Sequence, residues 1–233
     1  MFQLLSTGNP KTLKGEKQGY MTYILHLSPS DMSGVMNTCP KATAGCRAAC
    51  LNTAGRGGMF RKGENTNVIQ EARKRKTRWF KEDRKGFLEA LASDIRKAIR
   101  QAERKGLTPV FRLNGTSDIS WEKYGIIEQF PEVQFYDYTK VPGRKVAHLP
   151  NYHLTFSAAD GNGKDVERAV REGMNVTVVF DRVPDVYMGR PVFDGDESDL
   201  RFLDPKGVIV GLKAKGKAKK DTSGFVVFLQ QAA

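Results

Sequence analysis

The chain has 233 residues and carries 38 Lys+Arg against 26 Asp+Glu, a formal net charge of +12. That length suits one large domain or two small ones with a substantial core, and no apolar run is long enough to span a membrane. A basic excess of this size favours polyanions, and the lack of a basic, apolar leader in Met1–Ser6 argues for a soluble protein of a reducing, cytoplasmic compartment.

Taken in chain order, residues 7–20 read as an ordered but irregular lead-in punctuated by Gly8, Asn9, Pro10 and Gly15. Tyr20–Leu27 has strand composition and is ended by Ser28-Pro29-Ser30. The segment 37–58 then holds every cysteine in the chain: Cys39, Cys46 and Cys50, spaced C-x6-C-x3-C with Pro40, Gly45 and alanines between them. Small residues let such a loop fold back so that its sulfurs approach one another. An odd number of thiols without a secretory signal argues against a disulfide framework, and unrelated buried thiols would rarely cluster. Three thiolates without a fourth point to a metal site with one position open. Zinc would need a fourth ligand, for which His26 is better placed than His148 or His153. A [4Fe–4S] cluster accepts three cysteines and leaves one iron for a small molecule, and it is favoured over zinc. The glycine-rich close of the loop, Leu51–Gly58, permits close backbone approach to a cluster or phosphate but matches no P-loop.

Residues 64–105 are expected to be helical, with a break near Lys85-Gly86. Phe87, Leu88, Leu91, Ile95, Ile99 and Ala102 recur at three- and four-residue steps and form one apolar stripe. The preceding turns are dense in cations: Arg73, Lys74, Arg75, Lys76, Arg78 and Lys81. They read either as a solvated face or as a nucleic-acid groove in which Trp79 or Phe80 could stack on a base.

From residue 107 strands alternate with short helices. Strands are expected at Pro109–Asn114, Val133–Tyr138, Tyr152–Ser157, Asn175–Phe180, Gly207–Leu212 and Phe225–Leu229. Helices are expected at Trp121–Phe130, capped by Ser120, and at Lys164–Glu172, closed by Gly173, with a helical turn at Pro142–Ala147. A polar loop covers 184–206. Such alternation implies a parallel sheet and an α/β fold, an open or partial TIM-like barrel, in one domain over 1–233: cysteine loop 37–58, basic helical segment 64–105, strand–helix repeats 107–230.

Parallel α/β folds bind ligands at the C-terminal ends of their strands. Those ends here carry the cysteine loop, Asn114–Asp118, Asp137–Lys140, Ser157–Gly161, Asp181-Arg182 and Lys213–Lys217. One rim would therefore gather thiols, carboxylates and lysines. Asp137, Asp181 and Lys213 are the candidate catalytic groups on that rim, and Asp118, Asp137, Asp160 and Asp181 could instead serve a metal-dependent nuclease.

Asn9 and Lys11, the apolar strand 20–27 and the Cys39-Pro…Gly45-Cys46-x-x-x-Cys50 loop resemble a bacteriophage gene-product family; that resemblance implies no known activity. The chain also looks like radical S-adenosylmethionine (SAM) enzymes, which bind a [4Fe–4S] cluster by three cysteines after the first strand of a partial TIM barrel. That resemblance implies a cofactor-binding segment at Asn114, Gly115, Ser117 and Asp118, a ribose contact at Ser157, SAM on the open iron, and a reductant protein as partner. The chain departs from that family's C-x3-C-x2-C spacing, and Ala49 replaces the aromatic that normally precedes the last cysteine. Two other readings stand beside it: a basic nucleic-acid-binding protein stapled by zinc or iron–sulfur, and the nuclease.

Overall fold

A computed structural model describes residues 3–7 and 10–229. Asn9 and the end of the last expected repeat, residue 230, lie outside the described residues. Seven strands form the parallel body of the sheet: β2 (Tyr20–Leu25), β3 (Thr108–Arg112), β4 (Gln134–Thr139), β5 (Tyr152–Ser157), β6 (Val176–Phe180), β8 (Arg190–Asp194) and β9 (Ile209–Lys213). The order is β1-β2-β3-β4-β5-β6-β9-β8-β7, so successive strands are mostly neighbours, and the sheet does not close. Two short strands, β1 (Leu5–Ser6) and β7 (Val186–Tyr187), add antiparallel edges. A last strand, β10 (Val226–Val227), pairs with Val179 and Phe180 of β6, beyond the point where β5 pairs with Val176 and Thr177.

The pleat sorts the strand residues onto two unlike faces. Met21, Tyr23, Leu25, Phe111, Leu113 and Phe135 point to one side, against Phe87, Leu91, Ile95 and Ala98 of helix α4 (Arg84–Glu103). Phe156, Val176, Val178 and Phe180 continue this side against Val166 and Ala169 of α5 (Gly163–Arg171). Parallel strands are usually apolar on both faces, because helices cover both. Here the opposite face carries Thr22, Arg112, Tyr136, Tyr138, His153, Thr155 and Thr177, and a short 3-10 turn, Arg201–Leu203, packs beside its lower part with Leu200 against Val110 and Tyr136.

Several local expectations are revised. The lead-in contains a helix, α1 (Pro10–Glu16). The basic segment forms α3 (Val68–Glu82) and α4, and the break falls at Asp83 rather than at Gly86. Asp83 accepts the Gly86 N–H at 2.9 Å and the Trp79 indole N–H at 3.2 Å, so it caps the second helix. Gly86 is the donor of that cap; a Cβ there would lie 2.1 Å from Asp83 Oδ2. Trp121–Phe130 is not a helix but a 3-10 turn, Trp121–Lys123, followed by further turns, with Gly125 at φ 66° and no side-chain cap from Ser120. Pro142–Ala147 is a turn followed by irregular backbone, without helix. The polar loop 184–206 holds the β7–β8 hairpin, whose strands are too short to show a period-2 pattern.

Candidate functional site

The cysteine loop lies over the C-terminal edge of the sheet and is fastened at several points. Thr38 gives its hydroxyl to the Ser28 carbonyl at 2.6 Å and its N–H to the Ser30 carbonyl at 2.9 Å. Its own carbonyl accepts the Asp118 N–H at 2.8 Å, which joins the loop to the turn that follows β3. Further along, α2 (Ala44–Ala48) presents its first turn to Asp160, on the loop after β5. Asp160 accepts the Gly45 N–H at 3.0 Å and the Thr43 hydroxyl. Gly45 is required there: a Cβ would lie 2.0 Å from Ser223 Oγ and 2.8 Å from Phe225 Cβ. A third fastening comes from α3, whose Asn67 and Gln70 side chains hold the Gly57 carbonyl at 3.0 and 2.8 Å.

All three cysteines are free and half-buried. Burial pushes the Cys39 thiol up to about 11 and raises that of Cys50, with a neighbouring cysteine adding to each shift. Arg73 and Lys140 favour the Cys50 thiolate, and Asn52 donates its N–H to Cys50 Sγ at 3.5 Å. Among the described residues no group of three His, Cys, Asp or Glu side chains is arranged to hold a single metal ion. A four-iron cluster makes a different demand, since each thiolate binds a different iron and the sulfurs ring the cluster instead of meeting at a point. The soft, nearby donors, the N–H to sulfur bond and the compensating cations fit such a group. His26, the expected zinc ligand, faces Arg73, Arg112 and Lys76, which together with burial push it down to about 3.

The turn after β3 does come together with the strand ends, as a buried network. Asn114 Oδ1 accepts from the Ser117 hydroxyl, the Ile119 N–H and the Trp121 indole at 2.9, 2.9 and 3.1 Å. Its N–H and its Nδ2 donate to Asp137 at 2.7 and 3.2 Å, and the Tyr152 hydroxyl donates to the same carboxyl at 2.9 Å. Asp118 accepts from the Thr139 hydroxyl and the Lys140 N–H, both at 2.7 Å, with Arg144 3.7 Å away. Gly115 packs against β2, where a Cβ would meet Ile24 Cγ2 at 2.6 Å. Asn114, Ser117 and Asp118 thus spend their side chains on holding the turn. Asp137, expected at the rim, is fully buried, because the pleat turns it to the helix side.

The remaining expected residues are dispersed. Ser157 is half-exposed at the end of β5. Asp181 accepts the Leu229 N–H at 3.1 Å, Asp160 caps α2, and Lys213 is exposed at the end of β9, so the four nuclease carboxylates serve different segments. The basic run on α3 divides. Arg73 turns inward to Asn52 Oδ1 at 2.6 Å, and Lys76 to the Leu4 carbonyl at 2.6 Å. Lys74 pairs with Glu71 at 2.9 Å, whereas Arg75, Arg78 and Lys81 are exposed. The contributions of Arg73 and Asp160 to the cysteine loop had no signal in the sequence, since both are long-range contacts, whereas Thr43, three residues before Cys46, is a readable N-cap of α2.

A family model described as Gene product 88 matches residues 3–228, nearly the whole chain. No curated protein and no solved structure matches it.

Proposed function

We propose, for a chain that belongs to the Gene product 88 family, a phage-type gene-product family, that Cys39, Cys46 and Cys50 hold a [4Fe–4S] cluster whose fourth iron is open to a small molecule. The observation that carries this reading is the fastening of three free thiols over the C-terminal edge of a sequentially ordered parallel sheet. On this reading the sheet is an open barrel of the radical-SAM kind, and SAM is the first ligand to test. When bound, such a group supplies one-electron chemistry and a Lewis-acidic iron. The chain's own part is to fix the thiols through Thr38 and Asp160, to balance their charge with Arg73 and Lys140, and to shield one side of the site with the Asn114–Asp118 turn.

Anaerobic reconstitution followed by iron and sulfide analysis tests the reading. About four irons per chain with a broad band near ~400 nm are expected, with loss of both when all three cysteines are replaced by Ala. Iron retained in the triple variant overturns the assignment. SAM added to reduced protein is expected to change the cluster's electron-paramagnetic-resonance signal and to release 5′-deoxyadenosine; an unchanged signal with the cluster intact refutes the SAM part alone.

A further inference from the structure

The face of the sheet away from the helices carries a feature that the cysteine reading leaves unused. At its C-terminal margin stand His26, Arg112, Tyr138, Ser157, Val179 and Leu212, one from the end of each of six neighbouring strands, and all are half-exposed. The layer beneath them, Ile24, Val110, Tyr136, Thr155, Thr177 and Val210, is buried. A mostly polar rim above a closed floor has the form of a binding trough at strand ends, where parallel sheets hold their ligands.

Two atoms of this rim are buried and have no partner among the described residues: Tyr138 Oη and Arg112 Nε. Buried polar groups are paired in the great majority of proteins, so an orphan donor pair marks a place where an acceptor from outside belongs. The two side chains are neighbours, with the Arg112 guanidinium 4.7 Å from the centre of the Tyr138 ring. Arg112 is held in place from below, where Nη1 donates to Asp199 Oδ2 at 3.2 Å and Asp199 also accepts the Tyr136 hydroxyl at 3.2 Å. The charges around the pair are of both signs: Arg73, Arg112 and Lys76 lie near His26, which burial above all disfavours as a cation, and the Asp199 and Asp204 carboxylates lie near Tyr138.

We infer that this trough binds the oxyanion of a small molecule, a carboxylate or phosphate, with Arg112 Nε and the Tyr138 hydroxyl as donors and Ser157 on the adjoining strand as a further contact. An acceptor oxygen satisfies both orphan donors, and its charge suits the Arg112 guanidinium. A lone Arg–Asp pair would have served folding without leaving a donor on each of two strands unmet. The site needs no cluster and stands independently of the cysteine assignment.

The discriminating variant is Tyr138→Phe. It deletes a hydroxyl that no protein group uses, so denaturation midpoints are expected to stay level or rise. Binding of inorganic phosphate and of acetate to the full chain, followed by calorimetry and by 31P line width, is expected to weaken about fivefold, one hydrogen bond's worth. Ser157→Ala and Arg112→Lys provide the second and third arms, and a substitution at the exposed Lys105, beyond the far end of α4, serves as the control for screening. Binding of phosphate but not acetate identifies a phosphate-bearing ligand, and the reverse a carboxylate, either in support. Equal affinity in wild type, Tyr138→Phe and Ser157→Ala assigns any binding to surface cations and overturns the inference. So does the absence of binding at ~10 mM of either anion, a concentration that reveals a Kd near ~1 mM.

Discussion

Asp137 shows how one pleat alternation changes what a residue does. It is the middle of a run, Phe135-Tyr136-Asp137-Tyr138, in which the tyrosines face the polar side of the sheet and the carboxyl faces the helix layer. Three donors meet it there, from Asn114 twice and from Tyr152. Burial nonetheless dominates and pushes its carboxyl up to about 7, against ~3.9 in an unfolded chain. The folded state therefore holds a proton that the unfolded state has released between these values. Stability contributed by this group is highest below about pH 4 and declines as pH rises toward about 7. Asp137→Asn cannot titrate. The stability of the wild type minus that of the variant, from urea unfolding at a series of pH values, is expected to fall steadily across that window. A difference that rises with pH would show that the three donors, rather than burial, set the charge of Asp137. Sequence alone marked Asp137 as a polar residue at a strand end; it could not say which face the residue joined, because the register of a strand is fixed by its partners.

Among the elements, those with strong periodicity were legible and those held by a few polar contacts were not. The stripe of Phe87, Leu91, Ile95 and Ala102 identifies α4 because a helix face buried on one side must repeat its apolar residues. The run Tyr152–Ser157 is bounded as expected, while β7 and β8 escape notice because they are short and none of their residues is buried, so no buried face imposes a period-2 pattern. The five-residue helix α2 has no periodicity to read at all; it is held by Asp160 and by the close approach of Gly45 to Ser223 and Phe225. That dependence gives an expectation for Gly45→Ala. Its methyl overlaps Ser223 Oγ and approaches Phe225 Cβ at 2.8 Å, so α2 must move off the β10 end of the sheet. A loss of about 1–3 kcal/mol is expected from this overpacking, with cleavage by limited proteolysis concentrated in residues 44–58. Unfolding at the wild-type denaturant concentration and an unchanged digestion pattern would show that the loop is not anchored through this contact.

At the scale of the molecule, the net charge of +12 bears on partners, and the structure reduces how much of it α3 can offer. Steep salt dependence requires many phosphate contacts, because each neutralised phosphate releases counterions. Of the six cations that the sequence places on this helix, Arg73 and Lys76 are spent on the cysteine loop and the N-terminal strand, and Lys74 on Glu71. Arg75, Arg78 and Lys81 lie on the exposed side. Trp79 and Phe80, the expected stacking platforms, are engaged elsewhere: Trp79 packs edge-on against Phe87, and Phe80 is fully buried against Phe87 and Trp121. A polyanion held by three such side chains loses roughly fortyfold in affinity between ~50 and ~200 mM salt, far less than the roughly thousandfold expected for five to seven contacts. Anisotropy of a labelled double-stranded DNA across that range is expected to give the shallow slope, and the combined Arg75→Ala, Arg78→Ala, Lys81→Ala variant to abolish it. A slope near the steeper value would place the contacts elsewhere on the basic surface. Binding that survives the triple variant would detach polyanion affinity from α3 altogether, leaving the helix to its observed role: carrying, through Arg73, Asn67 and Gln70, the loop that holds the cysteines.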